Sequence, residues 1–288
     1  MAQRSAFATL FTSASYEPGV RGIACALHAV HTHFPLLLIA TPELYHTAHQ
    51  LSHDWKRYLE VKAHELSPLR NPYTGRGQSR FAGYYVMTKL RMWSLTEYEQ
   101  LVYLDADMLL IGNIDHLFSL EVEFAAAPAQ SGTSTDSVRW GRFNTGLMLL
   151  RPSQAMHSQM LAALGMLDNE DGSDQGFLQA FFRDRVWTSL PSKYNWSKRR
   201  ELGTGFKHSE HWFQTVQNDT LVFHLVGPKP WQGKHQSQAD DPDIGGYPHT
   251  HGLWWRSSSA CPLPSWKPSI CARVVCSKLN CTRVNCTR

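Results

Sequence analysis

The sequence predicts an α/β fold with a mostly parallel central sheet and flanking helices. In the first half of the 288-residue chain, short apolar runs alternate with amphipathic segments, which is the pattern of strands joined by helical crossovers. The apolar run from Leu101 to Leu104 then leads directly into Asp105-Ala106-Asp107. Because ligands gather beyond the carboxyl ends of strands in such sheets, this junction is the first candidate for a functional site.

The early elements follow from hydrophobic periodicity. We expect strands over 6–12 and 36–40, a helix over about 20–32, and a helix that begins at Thr41-Pro42. Thr41 suits a helix N-cap, and Pro42 suits the first helical position. A loop rich in Pro, Gly and Ser, residues 67–79, precedes a helix that carries Arg80, Tyr84, Tyr85, Lys89 and Trp93.

Further apolar segments continue the fold in the second half. They predict strands over 101–104, 124–127, 147–150 and 220–226, and helices over about 153–167 and 174–182. Beyond about His235 the periodicity is lost. We therefore assign residues 1–235 to a single domain and residues 236–288 to an irregular extension, for which disorder is the simplest interpretation.

Composition narrows the class of protein. The formal net charge is +4, and Lys and Arg are scattered along the first 235 residues, so the chain lacks the basic patch of a nucleic-acid-binding protein. No window approaches the roughly 18 to 20 apolar residues of a membrane span, and the amino terminus lacks the apolar run of a signal peptide. We therefore expect a cytoplasmic protein in which the glycosylation patterns at Asn195 and Asn218 stay unmodified.

The cysteines are unevenly distributed. Cys25 stands alone in a predicted helix, whereas the other five fall near the carboxyl end, at Cys261, Cys271, Cys276, Cys281 and Cys286. This distribution predicts no disulfide framework through the body of the fold. The five-residue repeat that ends the chain is interpreted as a low-complexity tail, with a metal or disulfide cluster and acylation of the cysteines as alternatives.

Asp105 and Asp107 are the first candidates for metal ligands. Two carboxylates at the end of a buried strand are costly unless they are solvated, paired or bound to a cation, and one divalent cation satisfies both. His46, His49 and His53 recur at helical spacing and offer an alternative metal site. A polar helix face explains these histidines better, because nothing near them in the sequence supplies a further ligand.

Several segments resemble, in the same order, those of the glycogenin-like branch of glycosyltransferase family eight. They are AFATLFTSASYEPGV, VMTKLRMWSLTEYEQLVYLDADMLLIGNID, FNTGLMLLRPS, DGSDQGFLQAFF, LPSKYNW and HLVGPKPW. The resemblance implies a GT-A fold, in which a Rossmann-like sheet holds a nucleotide-sugar donor over its carboxyl edge. It also implies transfer with retention of anomeric configuration, by double displacement or by same-face attack.

The resemblance also implies roles for individual residues. It assigns metal ligation to Asp105, Asp107 and His224, and this set of ligands suits Mn²⁺, with Mg²⁺ as the alternative. It places Lys89, Asp174 and Gln175 at the reacting centre, although Asp174 also suits the cap of the helix that follows it. The donor-binding positions that it implies are Leu10, Thr12, Ser13, Tyr16, Arg80, Ala106, Asn144, Thr145, Asp171, Gly227 and Lys229.

These donor-binding positions divide by the part of the donor that they contact. The resemblance places the segment from Leu10 to Tyr16 against uracil and ribose, and Asn144, Thr145 and Asp171 against the sugar. Lys89 and Lys229 would stabilise the leaving diphosphate, with Arg80 nearby. The function predicted in this way is Mn²⁺-dependent transfer of a hexose, glucose or galactose, from a UDP-sugar.

The acceptor is expected to be external. Glycogenin-like enzymes glucosylate a tyrosine of their own after the YN motif, but the corresponding segment here, NWSKRRELGTGFKHSEHW, contains no tyrosine. A sugar, a polyol, a lipid or a protein remains open as the acceptor. The residues that line its cleft, or alternatively decorate the surface, are Trp196, Lys198, Arg199, Arg200, Trp212 and Phe213.

Two other functions compete with transfer. A non-catalytic nucleotide-sugar or carbohydrate binding protein on the same fold would have lost the metal ligands or the phosphate lysines, and the sequence retains both sets. A metal-dependent phosphoesterase would need two adjacent metals and more clustered ligands than this strand offers. Transfer is therefore the preferred prediction.

Overall fold

The computed structural model describes residues 4–73, 85–129, 142–202, 210–232 and 247–262, together with the backbone of 273–277 and 280–284. The strands are β1 (Ser5–Phe11), β2 (Leu36–Ala40), β3 (Val61–Glu65), β4 (Gln100–Leu104), β5 (Met108–Leu110), β6 (Phe124–Pro128), β7 (Phe143–Leu150), β8 (Thr188–Ser189), β9 (Trp196–Ser197), β10 (Val222–His224), β11 (Arg273–Ser277) and β12 (Asn280–Val284). The α-helices are α1 (Glu17–Ala29), α2 (Pro42–Trp55), α3 (Gln154–Ala163), α4 (Asp174–Phe181), α5 (Glu210–Asp219) and α6 (Pro248–Ser259). Short 3₁₀ helices occupy Ala14–Tyr16, Val86–Ser94, Asp115–Ser119, Ser192–Tyr194 and Lys198–Leu202.

The main sheet has seven strands in the order β3-β2-β1-β4-β7-β6-β8. Four neighbouring strands, β3, β2, β1 and β4, are parallel, whereas β7 runs antiparallel to both β4 and β6. The predicted α/β class with a mostly parallel sheet is thus confirmed. Because β1 and β4 are parallel neighbours, the segment after Phe11 lies beside Asp105 at one edge of the sheet.

A smaller sheet, in the order β5-β10-β9, completes that edge. β10 pairs antiparallel with β5, so that His224 lies opposite Met108, and it pairs in parallel with β9, so that His224 also lies opposite Ser197. The amide of Leu225 donates to the carbonyl of Asp107 at 2.9 Å. This sheet therefore carries His224 to the turn that follows β4.

Apolar side chains fill both faces of the main sheet. Along β1, Phe7 and Phe11 belong to the core under α1 and α2, while Ala6 and Ala8 belong to the core under α4 and the 3₁₀ helix Val86–Ser94. This alternation is the period of two expected for a strand covered on both sides. The described helices therefore form a layer on each face.

Helix α1 approaches the Asp105-Ala106-Asp107 turn at a glycine. A Cβ atom added to Gly19 would lie 2.1 Å from the carbonyl oxygen of Ala106. Only glycine permits this approach, so the start of α1 and the turn are held in direct contact. No helix in the described ranges has both the length and the apolar character needed to cross a bilayer.

Two of the differences from the sequence prediction concern the segment around Lys89 and the segment after residue 235. The helix expected to carry Arg80 and Lys89 is a 3₁₀ helix over Val86–Ser94, and Arg80 lies outside the described residues. The irregular extension expected after residue 235 contains α6, whose Trp254 is only 1% exposed. The boundary at 235 stays a prediction, but the expected irregularity is wrong for residues 248–259.

A disulfide joins the end of α6 to the body of the fold. Cys25 in α1 is bonded to Cys261, 236 residues further along the chain. Trp254 packs on the ring of Trp231 at 5.2 Å between centroids, and its indole lies within 3.0 Å of a Cβ placed on Gly22. The expectation that Cys25 stands alone was therefore wrong, because the pairing depends on a contact between distant segments that sequence spacing does not reveal.

Candidate active site

One cavity of about 790 Å³ opens at the carboxyl edge of the main sheet. Every predicted site residue except Arg80 lines it: Leu10, Thr12, Ser13, Tyr16, Lys89, Asp105, Ala106, Asp107, Asn144, Thr145, Asp171, Asp174, Gln175, His224, Gly227 and Lys229. These residues come from segments far apart in sequence that meet where β1, β4 and β10 end and where β7 begins. The individual roles of these residues remain predictions.

Asp105, Asp107 and His224 form a candidate metal site. One ligand atom of each lies within 4.8 Å of the others. Since a cation with bonds of about 2.1 Å accepts ligands up to about 4.2 Å apart, small side-chain rotations suffice to close this group on one ion. Two carboxylates and one imidazole fit Mn²⁺ better than Mg²⁺, which prefers oxygen ligands alone. Among the described residues, the α2 histidines form no comparable group.

Asn195 orients the candidate imidazole ligand, and sequence reasoning did not assign it this role. Asn195 is 3% exposed, and its Oδ1 lies 2.9 Å from Nδ1 of His224. When Nδ1 donates its proton to Asn195, Nε2 is the ring nitrogen that faces Oδ1 of Asp107, at 3.3 Å. The YN motif contained the signal, but sequence alone did not connect it to His224.

Asp107 is a buried carboxylate held by two basic groups. Nζ of Lys229 donates to Oδ2 of Asp107, and Nζ also donates to the carbonyl of Leu225 at 2.9 Å. Burial alone would raise the pKa of Asp107, but Lys229 and His224 hold this pKa well below its ordinary value. Burial likewise acts to lower the pKa of Lys229, and Asp107 outweighs it, so that the net pKa is raised. Both groups are therefore charged at neutral pH.

Lys89 forms the second buried cation. It is 4% exposed, and its Nζ lies 2.6 Å from Oδ2 of Asp174 and 3.0 Å from Oδ1 of Asp105. Oδ2 of Asp174 also accepts from the hydroxyl of Thr145 at 2.8 Å. Burial acts to lower the pKa of Lys89, but the carboxylates of Asp105 and Asp174 raise it above its ordinary value. Asp174 therefore fixes the ammonium group beside a metal ligand.

Tyr103 completes this cluster and was not predicted. Its ring is 2% exposed, and its hydroxyl donates to Oδ1 of Asp105 at 2.6 Å. Burial, reinforced by Asp105, raises the pKa of this phenol well above its ordinary value, so that it stays protonated and continues to donate. Because Tyr103 and Lys89 both bond Oδ1, the second oxygen of Asp105 is left for the cavity.

A chain of amides connects the metal site to the predicted sugar site. Nδ2 of Asn195 donates to Oδ1 of Asn144 at 2.7 Å, and Nδ2 of Asn144 donates to Oε1 of Gln175 at 2.7 Å. Gly146 lies beneath this chain, where a Cβ would come within 2.6 Å of Cε1 of His224. The space at Gly146 is therefore what admits the imidazole.

Asp171 has a local bonding role at the start of α4. Its Oδ1 accepts from the amide of Ser173 at 2.9 Å and from the Ser173 hydroxyl at 2.7 Å, while that hydroxyl accepts from the amide of Gly176. Ser173 is the N-cap of α4, so the alternative capping role considered for Asp174 falls to its neighbour. Asp171 lines the cavity as well, so its predicted contact with the donor sugar remains open.

The loop 225–232, called here the Lys229 loop, faces the predicted nucleotide segment. Lys229 lies 5.9 Å from the ring centroid of Tyr16, and the indole of Trp231 donates to the carbonyl of Ser15 at 3.0 Å. Burial raises the pKa of the Tyr16 hydroxyl, and Lys229 opposes this rise. Gly227 has φ of +79°, a conformation that favours glycine and turns the chain into this loop.

Three of the six residues predicted to line an acceptor cleft or to decorate the surface are buried instead, and both interpretations are wrong for these three. Trp196 and Phe213 are 5% and 1% exposed and belong to the hydrophobic core, and Lys198 is completely buried. Of the predicted set, Arg199 lines the cavity, while the side chain of Trp212 lies outside the described residues. The burial of Trp196 was not predicted because its strand, β9, has only two residues and therefore shows no hydrophobic periodicity.

A family model described as glycosyl transferase family 8 matches residues 49–235. The chain belongs to this family. It is 29% identical over 285 residues to glycogenin-1 of Homo sapiens, which covers 90% of this chain and 73% of the relative. It is 27% identical over 249 residues to galactinol synthase 3 of Arabidopsis thaliana, which covers 75% of this chain and 70% of that relative.

Solved structures agree with this family 8 assignment at the level of the fold. The glycosyltransferase GlyE of Streptococcus pneumoniae matches with a TM-score of 0.62 at 17% identity, over 88% of this chain and 60% of that chain. The predicted GT-A architecture is thereby confirmed. Membership in the family supports a glycosyltransferase that takes a nucleotide-sugar donor and a sugar acceptor.

Proposed function

We propose that this family 8 member transfers a hexose from a UDP-sugar to an external acceptor, with retention of configuration and with Mn²⁺. The observation that carries the proposal is the meeting of Asp105, Asp107 and His224 within 4.8 Å, in a cavity also lined by two buried lysines. A cation held by these three ligands would act as a Lewis acid on the departing diphosphate.

The lysines suit the charge that develops when the glycosidic bond breaks. The bond between the sugar and the diphosphate is lost, the acceptor hydroxyl forms the new bond, and its proton leaves to a base or to the nucleotide. Lys89 and Lys229 face the cavity as protonated groups and oppose the growing negative charge of the diphosphate.

Gln175 and Asp174 are proposed to face the anomeric centre. Oδ2 of Asp174 is bonded to Lys89 and Thr145, so its charge is already balanced, and we assign it a role in holding Lys89. Oε1 of Gln175, held by Asn144, is the neutral oxygen available to stabilise positive charge on the sugar. This arrangement favours neither double displacement nor same-face attack.

The metal mechanism is tested by slow hydrolysis of UDP-sugars with Mn²⁺. The panel comprises UDP-glucose, UDP-galactose, UDP-xylose and UDP-N-acetylglucosamine, and thermal stabilisation by each donor gives a second readout. Asp107→Asn should abolish turnover and keep the native circular dichroism spectrum. The matched control is Asp115→Asn, because Asp115 also accepts two hydrogen bonds, from Thr32 and from His33, but does not line the cavity. Unchanged turnover in Asp107→Asn, or after chelation, would contradict the proposal.

The proposed cytoplasmic location meets one contrary observation. Disulfides are rare in the cytosol, yet Cys25 and Cys261 are bonded. Thiol labelling of the protein isolated from its native cells, followed by mass spectrometry of the Cys25 peptide, separates the two cases. A labelled Cys25 supports the cytoplasm, and a protected Cys25 favours an oxidising compartment.

A further inference from the structure

Lys198 is a buried lysine without a place in the proposed chemistry. It is 0% exposed, and in the described part of the chain it forms no salt bridge. Its Nζ instead bonds the carbonyl oxygen of Pro228 and Nε2 of His251, the latter at 2.7 Å. The ring of Tyr247 lies 4.2 Å away. Burial of a lysine amino group is costly, so its placement between the Pro228 carbonyl and the His251 imidazole calls for a physical account.

The first partner of Lys198 belongs to the Lys229 loop. Pro228 lies between Gly227, which lines the cavity, and Lys229, whose ammonium group reaches Asp107. Proline has no amide proton, so the backbone here is not held by an amide of its own. The bond from Lys198 to the Pro228 carbonyl therefore fixes the backbone next to Lys229.

The second partner belongs to α6, which is itself firmly anchored. Glu201, three residues after Lys198, accepts from the amides of His249 and Thr250 at 2.8 and 3.1 Å and from the Thr250 hydroxyl at 2.7 Å. A carboxylate in this position satisfies the free amides at the start of a helix. The far end of α6 is bonded to α1 through Cys261.

We propose that Lys198 is a positioning residue that ties the Lys229 loop to α6 and thereby sets the affinity of the cavity for the diphosphate of the donor. This inference rests on the proposed function. It also assigns a role to α6, which lies beyond residue 235, where the family match ends.

The need for such a tie follows from the contacts of Lys229. In this structure Lys229 is bonded to Oδ2 of Asp107, a candidate metal ligand, so its ammonium group has to turn from this oxygen in order to contact a bound diphosphate. If the loop shifted together with the side chain, the ammonium group would no longer be directed towards the diphosphate. A fixed carbonyl at Pro228 lets the side chain change partner while the backbone stays in place.

The test is a double-mutant cycle on UDP binding in the presence of Mn²⁺, measured by isothermal titration calorimetry on the full chain. Lys198→Met should raise the UDP dissociation constant at least tenfold. In the Lys229→Met background the same substitution should change it less than twofold, because Lys198 acts through Lys229. An equal loss in both backgrounds would overturn the proposal, since it would indicate a general structural or through-space charge effect.

A charge-neutral variant separates positioning from electrostatics. Thr250→Val removes the hydroxyl that bonds Glu201 and leaves every charge in place, and it should raise the UDP dissociation constant at least threefold. It also keeps the proposal testable if Lys198→Met does not fold. The matched control is Lys193→Met, because Lys193 is an exposed lysine in the same region and does not line the cavity.

The outcomes distinguish this inference from the function on which it rests. If the wild-type protein fails to bind UDP with Mn²⁺, the proposed function is refuted and the inference with it. If the wild type binds UDP, and Lys198→Met and Thr250→Val bind it equally well, only the positioning role is refuted. Weaker binding by Lys193→Met would show that loss of any nearby lysine charge produces the effect, and would also refute the positioning role.

Discussion

Tyr103→Phe isolates a single hydrogen bond to a candidate metal ligand. The substitution removes only the hydroxyl that donates to Oδ1 of Asp105 at 2.6 Å and keeps the buried ring. Lys89 still bonds the same oxygen at 3.0 Å, so the carboxylate loses one of two contacts. Loss of a group that orients a metal ligand typically weakens binding by about 10- to 100-fold. Because Lys89 remains, we expect the lower end, about tenfold, for Mn²⁺.

The assay is a titration of free Mn²⁺ by electron paramagnetic resonance at a fixed, saturating concentration of UDP. Tyr194→Phe is the matched control, because its hydroxyl also makes a 2.6 Å bond, to His116, and Tyr194 does not line the cavity. Denaturant unfolding of both variants measures any general loss of stability. A dissociation constant for Mn²⁺ within twofold of wild type in Tyr103→Phe would refute the orienting role of Tyr103.

Two further predictions concern the stability of the fold. Trp254→Ala should lower the free energy of unfolding in denaturant by about 3–5 kcal/mol, because a fully buried indole is lost from the contact between α6 and Trp231; a loss below about 1 kcal/mol would mean that α6 is not part of the core. Burial, and next Lys229, lower the pKa of Lys198 from 10.5 to about 7. Between these two pH values the native protein binds fewer protons than the unfolded chain, so this group makes the free energy of unfolding rise with pH. Thermal melts from pH 7 to 10 should show a smaller rise in Lys198→Met, and an unchanged slope would contradict the shift.

The parts of the fold that sequence predicted are those carried by local pattern. Apolar runs with a period of two or of about 3.6 gave β1, β2, β4, α2 and α4 to within about two residues, because burial on one or both faces is recorded in adjacent residues. Asp105 and Asp107 were likewise identified from local sequence, because they directly follow the apolar run of β4. The site around them came from the family resemblance, which places distant segments in one cavity.

The residues that sequence missed depend on contacts between distant segments. Asn195 acts on His224, which lies 29 residues away, and Lys198 bonds His251 across 53 residues. Neither pair has a spacing that a helix or a strand would impose, so no periodicity reveals it. Cys25 appeared solitary because its partner Cys261 lies just after α6, a helix that follows a stretch without apolar pattern. In each case the sequence shows the type of the residue but not the distant residue that it contacts.

The pairing of Lys229 with Asp107 bears on how the cavity fills. Lys229 holds Oδ2 of Asp107, and a cation bound at Asp107 would compete with Lys229 for the charge of this carboxylate. A buried lysine separated from its carboxylate is costly unless another anion replaces it. The diphosphate of the donor is such an anion. In the proposed function, cation and nucleotide therefore favour each other's binding, and this coupling is reciprocal. In its proposed role, Lys198 strengthens this coupling. Because the loop backbone is held in place, the Lys229 side chain exchanges Asp107 for the diphosphate without a shift of the loop.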